Sequence, residues 1–352
     1  MAWQGIEGHD AIVARFAAAE ARGRIAGSYL FVGPPGVGKS TFALALAKAL
    51  LCEHPAPGLV PCGGCRSCIQ AAAGSHPDID VVGKPDDRAT IPLELLIGDD
   101  QHRMREGLVW RLLLRPALGP RKVAIILDAD HLAEEAANCL LKTLEEPPPA
   151  AVIILVGTAV ERQLPTIRSR CQIIRFRPLP TATVERILNA EVRLAGGPED
   201  PATLRLRAMA AAGSLVRGRS LADAGVGEFR GRLLAILGRR PLAGVELARD
   251  TIAFVEAAGK EAPPRRARLR FVLETTVDLF RAALRQAVTH ETPADSDFHR
   301  AAAAWAHDPE ACAEPLRHTL DALEAVDRNA NLTVLVDAWT ALLEEPRLAR
   351  LA

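Results

Sequence analysis

Hydrophobic positions in residues 1–178 fall into short β-branched runs separated by longer amphipathic stretches. Strands are expected at Ser28–Val32, Ile79–Gly83, Lys122–Leu127, Ala151–Val156 and Gln172–Phe176. Several are continuously apolar, as in Val123-Ala124-Ile125-Ile126-Leu127, the pattern of strands covered on both faces of a parallel sheet. Helices are expected at His9–Arg22, Ser40–Leu51, Ile91–Arg103 and Glu134–Leu144, the last stopped by Pro147-Pro148-Pro149. After the joint Phe176-Arg177-Pro178-Leu179-Pro180 almost no strand pattern remains. Thr183–Ala195 and Pro201–Ala212 read as helices, with a break at Gly213-Ser214 before a third. The expectation is an α/β parallel-sheet domain over 1–178, a small helical domain over 179–225 and a larger all-α domain over 226–352.

Composition narrows this picture. Hydrophobic residues make up 49% and aromatics only 4%, which favours helices packed through small aliphatic side chains. The 43 basic and 43 acidic residues cancel, whereas a protein gripping many phosphates unaided carries a basic surplus; autonomous DNA binding is not expected. The first eight residues lack the basic-then-apolar layout of a signal peptide, and no uncharged apolar run reaches the ~18–20 residues that span a bilayer. A cytoplasmic chain is expected, in which seven cysteines point to metal or isolated thiols before disulfides.

Gly33-Pro34-Pro35-Gly36-Val37-Gly38-Lys39-Ser40 matches G-x-x-x-x-G-K-[ST] between an expected strand and an expected helix. Such a loop turns its N–H groups around a β-phosphate, Lys39 reaches the β/γ-phosphates, Ser40 supplies an oxygen for Mg²⁺, and Thr41 stands beside the α-phosphate. The bland alternative is a Gly-Pro turn with Lys-Ser at the helix start by coincidence. Asp128, at the end of Lys122–Leu127, suits the acidic partner of the magnesium shell. Its neighbour Ala129 offers nothing to deprotonate water, and Asp130 in an extended continuation points to the other side. ATP or ADP with Mg²⁺ is therefore expected to bind with very weak or absent turnover, unless Asp130 or another residue substitutes as base.

Cys52, Cys62, Cys65 and Cys68 form C-x9-C-x2-C-x2-C, the spacing of a closed four-thiolate structural zinc site. Disulfides are the alternative. Cys139 and Cys312 lie in helical patterns as small core residues, and His54 and His76, flanking the loop, read as surface histidines. In Leu164-Pro165-Thr166-Ile167-Arg168-Ser169-Arg170-Cys171, spacing alone favours a surface arginine paired with a carboxylate; the other reading is an arginine projecting toward a neighbour's nucleotide.

Together, Gly33–Ser40, the four-cysteine loop, Asn138-Cys139-Leu140-Leu141-Lys142-Thr143-Leu144-Glu145-Glu146-Pro147 and Ser169-Arg170-Cys171 resemble the AAA+ clamp-loader family of bacterial DNA polymerase III, and within it the delta-prime type. The resemblance is dense over about residues 28–178 and thinner at Gly213-Ser214-Leu215-Val216-Arg217 and Arg328-Asn329-Ala330-Asn331-Leu332. It implies an AAA+ domain, a helical lid and a helical collar joining a hetero-pentameric ring with gamma/tau motor and delta subunits, which loads a sliding clamp on primed DNA within the polymerase holoenzyme. By the resemblance Arg170 is a finger inserted into a neighbouring ATP site, Thr158 holds the sensor-1 position and Arg217 the sensor-2 position. Family motor subunits carry Asp-Glu where this chain has Asp128-Ala129. That departure favours the delta-prime type over the alternative, an ATP-hydrolysing gamma/tau-type motor. The cysteine loop and helical C-terminal half oppose a small-molecule P-loop kinase.

Overall fold

The computed structural model describes residues 3–99, 101–102, 105–197, 199–289, 295–307 and 309–344. The chain packs as two compact units, Met1–Ala190 with Ala212–Val216, and Glu191–Ala211 with Arg217–Ala352.

The first unit is built on a parallel sheet. Its elements run α1 (Asp10–Ala21), β1 (Ser28–Val32), α2 (Lys39–Leu51), α3 (Arg66–Ala72), β2 (Ile79–Val82), α4 (Leu93–Ile97), α5 (Gly107–Leu113) and β3 (Lys122–Ile126). A 3₁₀ turn (Ala129–His131), α6 (Glu134–Glu145), β4 (Ala151–Val156), α7 (Pro165–Arg168), β5 (Gln172–Arg175) and α8 (Thr181–Leu194) follow. The strand order is β2-β3-β4-β1-β5, with every pairing parallel. Every residue of β1, β3 and β4 is buried, while the edge strands β2 and β5 are partly open. Central strands therefore have to be apolar on both faces, which is why they read as unbroken apolar runs. Alternate residues feed two cores: Phe31, Val123, Ile125 and Ile154 pack with Phe42 and Leu46 of α2, whereas Leu30, Ala124, Ile126 and Ile153 pack with Leu140 of α6 and Leu108 of α5.

All five expected strands form, each within one residue of its expected end. The helix expected over Ile91–Arg103 does not. It stops at Ile97 because Gly98 adopts φ +86, and a Cβ there would stand 2.6 Å from the carbonyl oxygen of His102. Arg103 itself lies outside the described residues. The following α5, Gly107–Leu113, is not anticipated in the sequence pattern.

In the second unit the described elements are helical: α9 (Pro201–Ala210), α10 (Leu215–Ser220), α11 (Ala224–Leu237), α12 (Gly244–Glu256), α13 (Ala262–Thr289), α14 (Ser296–Ala303), α15 (Pro309–Asp327) and α16 (Leu332–Glu344). The end of α8, from Glu191, belongs to this unit, and the start of α10, through Val216, to the first. Phe229, Leu247, Phe280 and Trp339 belong to one continuous core, and the Trp339 indole N–H donates to the buried Thr319 hydroxyl at 3.1 Å. No helix among the described residues is long and apolar enough to cross a membrane.

Candidate nucleotide site, metal centre and projecting arginine

The phosphate-loop motif joins the C-terminal end of β1 to the N-terminus of α2. Gly36 sits at φ +76, and a Cβ there would lie 2.1 Å from the Ser214 hydroxyl, so a side chain is excluded twice over. Gly38, at φ +93, immediately precedes α2 and lets the backbone enter the helix. The Leu215 N–H donates to the Gly36 carbonyl at 2.9 Å, which ties the segment entering α10 to the loop. His9, expected only as a helix start, is buried; its Nε2–H donates to the Val37 carbonyl at 2.7 Å and its ring meets Phe176 edge-on. Pro34, Pro35, Ser40 and Thr41 are exposed and Val37 is buried.

Lys39 is 8% exposed, and its Nζ donates to the carbonyls of Gly33 and Pro34 at 2.6 and 2.7 Å. Burial pulls its pKa down to about 8, opposed by the charges of Asp130 and Asp128. A largely buried ammonium at the start of α2 is suited to meeting phosphate oxygens.

Asp128 is exposed just past the end of β3, at φ +53. The chain does not continue extended beyond it. It turns into the 3₁₀ segment, so Asp130 does not point away as expected. Its carboxylate instead accepts the Thr158 N–H at 2.7 Å and the Gln163 side-chain amide. Gln163 is buried, and Gly157 must lack a side chain because a Cβ would stand 2.7 Å from both Asp130 Oδ1 and Gln163 Nε2. The Thr158 carbonyl in turn accepts the Gly33 N–H at 3.0 Å. Thr158 thus joins the phosphate loop to Asp130 through its backbone. Ala129 is 3% exposed and its methyl belongs to the apolar core that contains Leu96, Ala136 and Val160.

The sulfurs of Cys52, Cys62, Cys65 and Cys68 all lie within 4.8 Å of one another. Backbone N–H groups donate to them: Cys62 to Cys52 Sγ at 3.2 Å, Cys65 to Cys62 Sγ and Cys68 to Cys65 Sγ, each at 3.4 Å. Hydrogen bonds of this kind favour thiolates, and those from Cys65 and Gly64 bring Cys62 down to about 6, while burial pushes Cys68 up to about 12. Four convergent sulfurs with N–H support fit a tetrahedral thiophilic ion. Cys312 is buried in the second unit and Cys139 lies on α6, both apart from the cluster.

His76 is 5% exposed, not a surface histidine. Its Nδ1 accepts the Asp78 N–H at 3.0 Å, so Nε2 carries the proton and donates to the Ser67 hydroxyl at 2.9 Å; that hydroxyl donates to the Leu51 carbonyl at 2.6 Å. Burial lowers the His76 pKa, which keeps this neutral form. Asp78, fully buried, accepts the N–H groups of Ala117, Leu118 and Gly119 at 2.7, 2.8 and 3.3 Å and pairs with Lys122 at 3.6 Å. The cysteine loop is thereby fastened to β2 and β3. His54 is exposed, as expected.

Arg170 follows α7. Its Nε donates to Glu145 Oε1 at 2.7 Å, Nη2 donates to the same oxygen, and Nη1 donates to the Thr166 carbonyl at 2.9 Å and the Ser169 hydroxyl at 3.2 Å. The surface ion pair that spacing alone favours is present. In the second unit, Arg217 pairs with Asp278 and, at 3.3 Å, with Glu274, both on α13. These carboxylate partners surround the residue that the resemblance places at the sensor-2 position.

Residues 8–180 match the family model described as "DNA polymerase III, delta subunit". The chain is 36% identical to DNA polymerase III subunit delta' of Pseudomonas aeruginosa over 216 residues, 60% of this chain and 61% of that protein. It is 33% identical to DNA polymerase III subunit gamma/tau of Mycobacterium bovis over 259 residues, 72% of this chain and 43% of the other. Subunit delta' of Bacillus subtilis is 35% identical over 170 residues, 48% of each chain. The chain thus spans about half the length of the relatives it matches. The family match over residues 8–180 and the delta' relatives at 35–36% identity support a clamp-loader subunit of the delta-prime type.

Proposed function

We propose that this chain completes the clamp-loader ring of DNA polymerase III as a subunit that binds nucleotide without hydrolysing it and lends Arg170 to the ATP site of a neighbouring motor subunit. One observation carries the reading. Beside Asp128 the methyl of Ala129 is packed in an apolar core, and the next carboxylate, Asp130, is engaged by the Thr158 N–H and Gln163. The methyl has no lone pair to accept a proton, and both carboxylate oxygens of Asp130 already accept a hydrogen bond.

In this reading Gly33–Thr41 hold the phosphates of ATP or ADP, Ser40 and Asp128 serve Mg²⁺, Thr158 is the sensor beside the γ-phosphate, Arg217 couples the helical lid, and Cys52, Cys62, Cys65 and Cys68 hold a structural Zn²⁺. Residues 1–178, 179–225 and 226–352 are the AAA+ domain, lid and collar. The partners are gamma/tau motors and delta in a hetero-pentamer, and through it the sliding clamp and primed DNA. An arginine supplied in trans speeds phosphoryl transfer by roughly 10³–10⁵, or about 4–7 kcal/mol.

The similarity to gamma/tau proteins covers more of this chain than the match to any delta' relative reported above, which favours a motor role as the second reading. Phosphate release from the purified chain with Mg-ATP separates them. Multiple turnovers per minute by the isolated chain would establish the motor role and remove the first reading. In the reconstituted complex, Arg170→Ala should preserve assembly and cut DNA-stimulated ATPase at least tenfold.

A further inference from the structure

The Arg170 guanidinium is almost fully engaged within its own subunit. Of its five N–H donors, Nε–H and one Nη2–H are on Glu145 Oε1, and Nη1 donates to Thr166 O and Ser169 Oγ. One N–H remains, too few for the two-pronged grip by which arginine recognises phosphate. The Ser169 hydroxyl itself donates to Thr166 O at 3.1 Å, so this arrangement is braced from both sides. Glu145 is the last residue of α6, directly before the Glu146-Pro147 exit, and the pair lies part-way in solvent, with the arginine side chain 28% and the glutamate side chain 49% exposed.

We propose that Glu145 is a latch: it holds Arg170 against the end of α6 and yields it only to the terminal phosphate of a nucleotide on the neighbouring subunit. The inference rests on the finger role proposed above and adds a restraint to it. A half-exposed ion pair is weak, and a multiply charged phosphate in a drier site outcompetes one carboxylate. The latch thus keeps the guanidinium from other anions without preventing its transfer.

The test is DNA-stimulated ATPase of the complex reconstituted with wild-type chain, Glu145→Gln, Arg170→Ala or both substitutions. The glutamine is isosteric and removes the charge. Glu145→Gln should raise the rate between about two-fold and five-fold, the upper figure corresponding to ~1 kcal/mol. In the Arg170→Ala background it should change nothing, an epistasis that a purely structural role of Glu145 would not produce. If Glu145→Gln fails to assemble, Glu145→Asp, which withdraws the carboxylate by one methylene, is measured the same way. A rate equal to wild type, or lower, overturns the latch; the lower rate would mean that Glu145 orients the finger rather than restrains it. An unaffected rate in Arg170→Ala alone would instead remove the finger role, and the latch with it.

Discussion

Restoring the missing carboxylate by Ala129→Glu is the sharpest challenge to a non-hydrolysing site. If absence of the base were the sole defect, the substitution would return the roughly 10²–10⁴-fold that a positioned general base supplies. The structure argues otherwise. Ala129 is 3% exposed and its methyl lies in the core with Leu96, Ala136 and Val160. Glutamate would add four heavy atoms to that packing, an overpacking cost of about 1–3 kcal/mol. Its carboxyl would also be placed in apolar surroundings, where it protonates or forces the 3₁₀ turn to move. The expected result is less than a tenfold gain in phosphate release under saturating Mg-ATP. In calorimetry, the transition of the sheet-containing unit should fall by about 2–12 °C, at ~2–4 °C per kcal/mol for a unit of this size. A hundredfold rise in turnover with an unshifted transition would refute the argument, because it would show the turn ready to accept a base.

Other consequences follow from the charged groups around the site. Because the free Lys39 amine has a pKa of about 8, its charge is present below that pH and lost above it; nucleotide affinity by titration calorimetry should weaken about tenfold between pH 7 and pH 9 and stay flat in Lys39→Ala. Asp78→Asn leaves Lys122 buried without its partner and should cost about 3–5 kcal/mol, partly recovered in Asp78→Asn with Lys122→Met. Backbone N–H groups and Lys122 outweigh burial and hold the Asp78 pKa below its ordinary value, so its stabilisation is complete above roughly pH 4 and is lost as pH falls through the folded value. The calorimetric gap between wild type and Asp78→Asn should therefore be constant from pH 8 to 5 and close in stronger acid. Elemental analysis should find one zinc per chain in wild type and none in Cys68→Ser, whose sulfur is fully buried in the cluster.

Much of this organisation is readable along the chain because its causes are local. β1, β3 and β4 are apolar on both faces, the phosphate loop needs glycine at fixed offsets, and the cysteine spacing alone brings four sulfurs together. Gly98 carried a local signal too: it interrupts the apparent helix over Ile91–Arg103 where a positive φ is required, and the apolar periodicity ran across it.

Buried polar groups escape such reading, because each must find a partner and the partner is usually far away in sequence. His76 looks like a surface residue until Ser67 and Asp78 are beside it; Asp78 looks like an ordinary charge before a strand until the N–H groups of residues 117–119 converge on it. Asp130 is hidden from the sequence pattern for the same reason. Its orientation follows from the left-handed turn at Asp128 and from Thr158 and Gln163, 28 and 33 residues away. These residues share an energetic logic: leaving any of their groups unpaired in the interior costs more than a typical hydrogen bond contributes. Chain direction after β3 is thus governed by satisfying Asp130, and the position beside Asp128 is left to a methyl group. The absence of a base at Ala129 and the engagement of Asp130 are two sides of one local packing solution, and a change at either residue has to be accommodated by the other.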